Sequence, residues 1–384
     1  MQTRREFLLR AAALAGGALT GWADPPKAGT SAAVRAAEGF LAARQSRDGA
    51  WRSAHYGAFR GGDALTPLML WALAGAPGAD VSRGLLWLES LTTAQAARSE
   101  PWAELRYPLF TAGYAAQVFA KAGDARRAAF WADLVERLRI APALGWPAGD
   151  PACGAWDDAP FPPRLPEGVA SPPDMLAPNI SATVLALQAL RASGRANRAA
   201  ALPFLARCQN CAAPVRNQKS SAPADAALED GGFFFAPGDS VRNKAGVAGR
   251  DSSGRERFHS YGSATCDGLL ALHCCGLPHS DARFRAALDW LRRNAAGATH
   301  SGHWAADRAT ARESLRYYHA QAFASALALA PDQSWAAGQR RALVADLLAA
   351  QRPDGSWAGA CPDSFEDDPL PATAFALAAI TTCM

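Results

Sequence analysis

Gln45-Ser46-Arg47-Asp48-Gly49-Ala50-Trp51 recurs near the far end of the chain as Gln351-Arg352-Pro353-Asp354-Gly355-Ser356-Trp357. Both copies follow an amphipathic stretch that closes on Leu-Ala-Ala, at Leu41-Ala42-Ala43 and Leu348-Ala349-Ala350. Shorter copies are Gly154-Ala155-Trp156 and Gly302-His303-Trp304. A stretched copy carries Cys208-Gln209-Asn210 before an insertion and Asp230-Gly231-Gly232-Phe233 after it. Asp-Gly makes the tight turn that ends a helix. The aromatic lies over that turn, and the Gln amide satisfies loose backbone groups at the helix end. Several of the 12 tryptophans are thereby assigned to structural clips.

Working outward from these turns, Ala/Leu-rich segments alternate with Gly/Pro/Asp loops, and strand patterns are nearly absent. The spacing predicts helices near 31–45, 65–76, 80–95, 108–122, 124–139, 179–193, 196–209, 262–276, 280–294, 314–330, 336–350 and 371–383. They are of two alternating kinds. One kind opens on a small or hydroxyl residue and is apolar all round, as at Thr111-Ala112-Gly113-Tyr114, Ser181-Ala182-Thr183, Ser263-Ala264-Thr265 and Thr373-Ala374-Phe375. The hydroxyls are expected to cap these helices, and the apolar wrap implies burial. Asp63 and Asn179 are expected to cap as well. The other kind carries charge on one face, as in Asp289-Trp290-Leu291-Arg292-Arg293. Six helices of each kind predict an all-α fold, an (α/α)6 toroid around one central cavity, with long loop insertions at 140–178 and 210–261.

The N-terminus reads as an address. Thr3-Arg4-Arg5-Glu6-Phe7-Leu8 has the form of a twin-arginine export signal, followed by an apolar stretch and Gly21-Trp22-Ala23 as a cleavage site. Residues 1–23 are therefore expected to be removed, leaving one domain over 24–384 outside the cytoplasm. The chain has 384 residues, 49% hydrophobic and 19% charged, with a formal charge of +4. Setting the signal aside removes three cations and one anion, so no dense basic face remains for nucleic acid. No apolar run reaches a membrane span. The eight cysteines are read as buried thiols with at most a single bridge, since the one C-x-x-C, Cys208 to Cys211, lacks the second that a zinc ribbon needs.

The Q-x-x-D-G-x-W turns resemble those of the prenyltransferase and squalene-cyclase repeat proteins, over about residues 30–384. Tyr107-Pro108-Leu109-Phe110-Thr111, Pro178-Asn179-Ile180-Ser181 and Tyr261-Gly262-Ser263-Ala264-Thr265 look like blocks of the exported bacterial members, a group without a settled role. The resemblance implies the same toroid. It also allows chemistry to be checked residue by residue. The D-x-D-D acid of hopene-type cyclases would precede Thr373-Ala374, where this chain reads Pro369-Leu370-Pro371-Ala372. Glu366-Asp367-Asp368 lies just upstream and is read as a solvated acidic loop. The zinc ligands of protein prenyltransferase β subunits fall on Asp267, Leu269 and His319. The thiolate position is thus Leu269, so no cofactor is expected.

What remains is a set of polar residues placed to face the cavity. Asp267 and His319 are the candidates for a carboxylate–imidazole pair doing acid/base work, with Tyr318 beside them. The competing reading gives these Tyr and His side chains internal hydrogen bonds that hold adjacent inner helices in register. His259, Tyr261, Tyr317 and Tyr114 are the candidate ligand contacts. Three functional readings fit. The first is a terpenoid-cyclase-like protein that binds or transforms an apolar isoprenoid, whose aromatic lining would stabilise carbocations. The second is a carbohydrate-active (α/α)6 enzyme, which needs two facing carboxylates or a Tyr/His pair in an open cleft. The third is a non-catalytic scaffold for protein partners.

Overall fold

A computed structural model describes residues 28–165, 167, 177–196, 198–213, 228–251, 254, 256–330 and 334–384. Residues 1–23, where an export signal is expected, lie outside these residues. Thirteen α-helices are described. The outer set is α1 (Ala28–Arg44), α3 (Ser82–Ala96), α5 (Ala125–Arg137), α7 (Leu202–Arg207), α9 (Ala282–Asn294) and α12 (Ser334–Ala350). The inner set is α2 (Leu65–Leu73), α4 (Pro108–Lys121), α6 (Ile180–Ala192), α8 (Gly262–Cys274), α11 (Arg316–Leu327) and α13 (Pro369–Cys383). A short α10 (Ala309–Glu313) precedes α11. Among the described residues, no helix is long and apolar enough to cross a membrane.

The inner helices close a ring. α2 packs on α4, α4 on α6, α6 on α8, α8 on α11, α11 on α13, and α13 returns to α2. The outer helix α1 completes the circle by packing on α13 and α12. This is the (α/α)6 toroid the periodicity predicts. Its inner helices are buried almost throughout, as at Leu65–Leu70 and Leu370–Ile380, because residues that are apolar on every face need neighbours on every face.

The repeated turns hold inner to outer helices by one device used four times. The backbone N–H of Trp51, Trp156, Phe233 and Trp357 donates to the hydroxyls of Thr66, Thr183, Thr265 and Thr373, at 3.1, 3.3, 3.0 and 3.0 Å. The indole N–H groups of Trp51, Trp156 and Trp357 reach back to the Leu41, Val135 and Leu347 carbonyls at 2.7, 2.7 and 2.8 Å. Gln45, Gln209 and Gln351 donate side-chain N–H to the carbonyls of Gly49, Gly231 and Gly355. Gly49 and Gly355 sit at φ +97° and +87°, where a Cβ would also collide with the Arg83 and Ala36 carbonyls of the next outer helix. These hydroxyls clip the preceding turn rather than cap their own helices. Asn179 does cap α6, accepting from Ala182 N at 2.8 Å. Asp63 instead accepts from Arg106 N at 3.0 Å, tying two rim loops together.

The insertions carry more structure than their composition suggests. Residues 140–165 hold a small core of Ile140, Trp146, Ala152 and Ala159. Strands β1 (Val247–Arg250) and β2 (Glu256–Phe258) pair antiparallel within the second insertion. Both insertions precede inner helices, so they build over the rim where the inner helices begin. All eight cysteines are free.

Candidate functional site

Asp267 is the only carboxyl on the six inner helices, whose remaining charged residues lie near their ends. It sits in the second turn of α8 and is 2% exposed. Two hydroxyls from the flanking inner helices converge on its Oδ2. Ser181 of α6 donates at 2.8 Å and Tyr318 of α11 at 2.9 Å. Burial disfavours the carboxylate and pushes the Asp267 pKa up to about 7, with the Ser181 and Tyr318 hydroxyls pulling the other way. The Asp267 charge is felt by Tyr114 of α4, whose own pKa is raised by burial and then by this charge. α4 and α8 are not neighbours in the ring, so these two groups meet across its axis.

Tyr318, which bonds Asp267, and Tyr114, which feels its charge, each pack on further aromatic rings. Tyr114 packs against Trp71 of α2 and Phe110 of α4, with centroids 5.2 and 4.8 Å apart. Tyr318 meets Phe375 of α13 edge to face at 5.5 Å. Three inner helices, α6, α8 and α11, thus meet at Asp267 through hydrogen bonds. Several of these residues keep accessible surface inside an otherwise buried ring. Half-buried positions include Ser181, Leu185 and Gln188 on α6, Phe110 and Gln117 on α4, and Tyr318 and Ser325 on α11; Ala120 of α4 and Arg316 of α11 are half-buried outside these sets. Spacings of four and seven residues place each set on one helix face. These faces are not fully covered by their neighbours.

His319 is not paired with Asp267, contrary to expectation. Adjacent helical residues point about 100° apart, so with Tyr318 on the axis His319 turns toward the start of α8, where a Cβ on Gly262 would meet its Cε1 at 2.6 Å. Its ring stacks on His300, with centroids 4.5 Å apart and planes 16° apart, and on Phe323 at 5.8 Å. Neither ring nitrogen has a hydrogen-bond partner, so His319 does not hold helices in register through hydrogen bonds either. Burial lowers its pKa to about 4; the Thr299 backbone acts weakly against this without hydrogen-bond geometry. His319 stands fourth in α11, the place that Thr183 and Thr265 hold in α6 and α8, so a stacked imidazole replaces the threonine clip there.

The other sequence candidates separate. Tyr261 stands at the N-cap of α8, 1% exposed, against Trp304 and His300; Asp267 contributes to the rise in its pKa, after burial. Tyr317 points away from the axis, its hydroxyl 3.5 Å from the Ala358 carbonyl. His259 lies against His303 on the rim, with ring centroids 4.5 Å apart and planes tilted by 49°; burial and then His303 lower its pKa. Leu269 is fully buried and apolar.

Glu366 and Asp368 are each 1% exposed, so the acidic run is not a solvated loop. Glu366 accepts from the backbone N–H of Tyr317 at 2.9 Å and of Tyr318 at 2.7 Å. It satisfies the open first turn of α11 and orients the helix that carries Tyr318. Burial raises its pKa to about 7 against these bonds. Asp368 caps α13 through Leu370 N, and Asp367 accepts from the Tyr56 hydroxyl at 2.5 Å. Tyr56 and Phe59 then meet Phe365 edge to face on the same rim, with Tyr107 tilted against Phe59. A cleft of about 540 Å³ also opens outside the ring, between the Thr299-His300 turn, Arg312 to Arg316, and the last turns of α12. It holds Arg312, Arg316, Glu313 and Asp346, charges of both signs, and does not include Asp267 or Tyr318.

No protein-family model matches the chain, and no curated protein matches it in sequence. Solved structures do. A variant of the type II terpene cyclase MstE from Scytonema, in complex with geranylgeranyl dihydroxybenzoate, superposes with a TM-score of 0.56 at 15% identity, covering 92% of this chain and 96% of that one. Another variant, in complex with the product merosterolic acid A, gives 0.57 at 15% identity with the same coverage. A protein from Actinoplanes gives 0.53 at 15% identity, covering 92% of this chain and 99% of that one. At such identity the likeness shows a shared fold, the terpene-cyclase type of helical toroid.

Proposed function

We propose that the protein binds a linear isoprenoid in its axial cavity and transforms it by proton transfer from Asp267. One observation carries this reading: the single carboxyl of the inner helices, Asp267, is buried and accepts hydroxyl groups from the two flanking inner helices, Ser181 and Tyr318. Similarity in fold to a cyclase solved with prenylated substrate and with product supports it. A carbohydrate-cleaving site would draw on two facing carboxylates, and the inner helices carry one.

The proposed chemistry uses only groups on the axis. The Asp267 carboxyl gives its proton to one carbon of a C=C bond, whose π pair forms the new C–H bond. The other carbon becomes a cation, which the faces of Trp71, Phe110, Tyr114 and Phe375 stabilise. A second double bond attacks it and closes a ring. Loss of a proton from carbon to the Asp267 carboxylate ends the sequence and restores the acid. Ser181 and Tyr318 stabilise the carboxylate in the interval by donating to Oδ2. Glu366 acts through Tyr318 as a positioning residue.

The test is incubation of the purified chain with linear C15 to C30 isoprenoids and analysis for cyclised isomers. Asp267→Asn is expected to lose turnover by about 10²-fold or more. Equal turnover by the variant would remove Asp267 from the chemistry. We further propose, from Arg4-Arg5 and the apolar run after them, that the protein works outside the cytoplasm. Fractionation of cells carrying Arg4→Lys/Arg5→Lys tests this, with cytoplasmic retention expected.

A further inference from the structure

The axial lining changes character along its length. In the first two turns of their helices stand Phe110, Ser181, Asp267 and Tyr318. Lower down, the half-buried positions include Gln117 of α4, Gln188 of α6 and Ser325 of α11, with Ala120 of α4 and His273 of α8 half-buried as well. The first three are the tenth, ninth and tenth residues of their helices, so they lie at nearly one level. Ser181 to Gln188 and Tyr318 to Ser325 are each seven residues apart, which is about 10 Å along a helix and the same face. α4 and α11 stand opposite each other in the ring, with α6 beside α4, so the three side chains bracket the axis. Between the two levels the lining is apolar, with Leu185 half-buried and Leu270 8% exposed.

The lower level has hydrogen-bonding capacity to spare and no charge. Gln117 spends one N–H on the Gly113 carbonyl at 3.1 Å, which leaves its Oε1. Ser325 accepts from Gln321 at 2.9 Å, which leaves its own O–H to donate. Gln188 makes no hydrogen bond to a described residue. The nearby cations are turned elsewhere. Lys121 donates to the Ala74 carbonyl at 2.6 Å, and Arg191 lies on the exposed side of α6. Amides and a hydroxyl on an apolar wall hold a neutral polar group well, and an anion without a cation poorly.

We propose that Gln117, Gln188 and Ser325 form a second binding station, which takes the uncharged hydrogen-bonding end of the ligand while its alkene lies against Asp267. This rests on the isoprenoid reading and narrows it. The ligand class becomes a prenyl chain with a hydroxyl, phenol or carbonyl head, rather than a prenyl diphosphate or a pure hydrocarbon. A site built to hydrogen-bond a head group also rejects a chain that lacks one, because its own polar groups are then left unpaired.

The probes are farnesol, farnesyl diphosphate and squalene, each titrated into the purified full chain and read by native mass spectrometry. Farnesol is expected to bind the parent at least about tenfold more tightly than either of the others. Gln117→Leu/Gln188→Leu is expected to lose farnesol affinity about tenfold while squalene affinity holds or rises. Ser325→Ala serves as a milder second variant, with about a threefold loss for farnesol. Equal binding of all three probes, a preference for the diphosphate, or farnesol binding unchanged in both variants overturns the second station and leaves the isoprenoid reading in place. Binding of none of the probes overturns both.

Discussion

The Tyr318 hydroxyl donates to Asp267 Oδ2 at 2.9 Å, joining two inner helices on the axis of the ring. The bond favours the ionised carboxyl and so opposes the burial that raises the Asp267 pKa. Tyr318→Phe removes the donor and keeps the ring. The Asp267 pKa should then rise further, by about one unit, seen as the infrared carboxyl band persisting to higher pH. An unchanged titration would mean that this bond does not tune the acid.

Asp267 also links stability to pH. Its pKa is about 7 in the folded chain against an ordinary 3.8, so the folded state holds the proton more tightly than the unfolded one. Its contribution to stability is full below 3.8 and is lost as pH rises through about 7. Asp267→Asn should therefore melt higher than the parent at pH 8, with the gap closing toward pH 5. A lower melting temperature at pH 8 would show that the carboxylate is better satisfied than Oδ2 alone indicates.

His319 behaves in the opposite sense. Its folded pKa is about 4 against 6.5, so the stability of its neutral form is present above 6.5 and is lost as pH falls through about 4. His319→Phe keeps the stack on His300 and removes that titration. Its melting temperature should fall less than the parent's between pH 7 and pH 4.5, and the Asp267 titration should be unchanged. A shift in Asp267 would restore the carboxylate–imidazole pair that the geometry contradicts.

The clips carry a separate prediction. Thr373→Val leaves the buried Trp357 N–H without an acceptor and should cost about 1–3 kcal/mol in chemical denaturation. Trp357→Ala empties a fully buried site and should cost about 3–5 kcal/mol. Near-zero costs for both would make the repeated turn an accident of sequence.

The toroid was legible because its signals are periodic: apolar wrap on alternate helices and Asp-Gly-Trp turns in register. Asp267 was legible through the zinc-ligand position it shares with prenyltransferase β subunits and as one of the polar residues placed to face the cavity. Its partner was not, because Tyr318 and His319 are neighbours in sequence and only the rotation of α11 decides which reaches the axis. Ser181 was read as a cap because its hydroxyl opens a helix, yet its bond goes across to α8. Glu366 looked like part of a solvated run because its donors, Tyr317 N and Tyr318 N, are supplied by a helix 48 to 49 residues away in sequence. The β1–β2 hairpin is short and lies inside a Gly- and Ser-rich insertion, where no alternation announces it.

The most direct measurement is native mass spectrometry of the full chain purified from its own host, with extraction and identification of whatever lies in the axial cavity. The account predicts an isoprenoid or its cyclised isomer bound to the parent, and the uncyclised chain accumulating on Asp267→Asn. A cavity that is empty in both proteins and takes up no added prenol would contradict it.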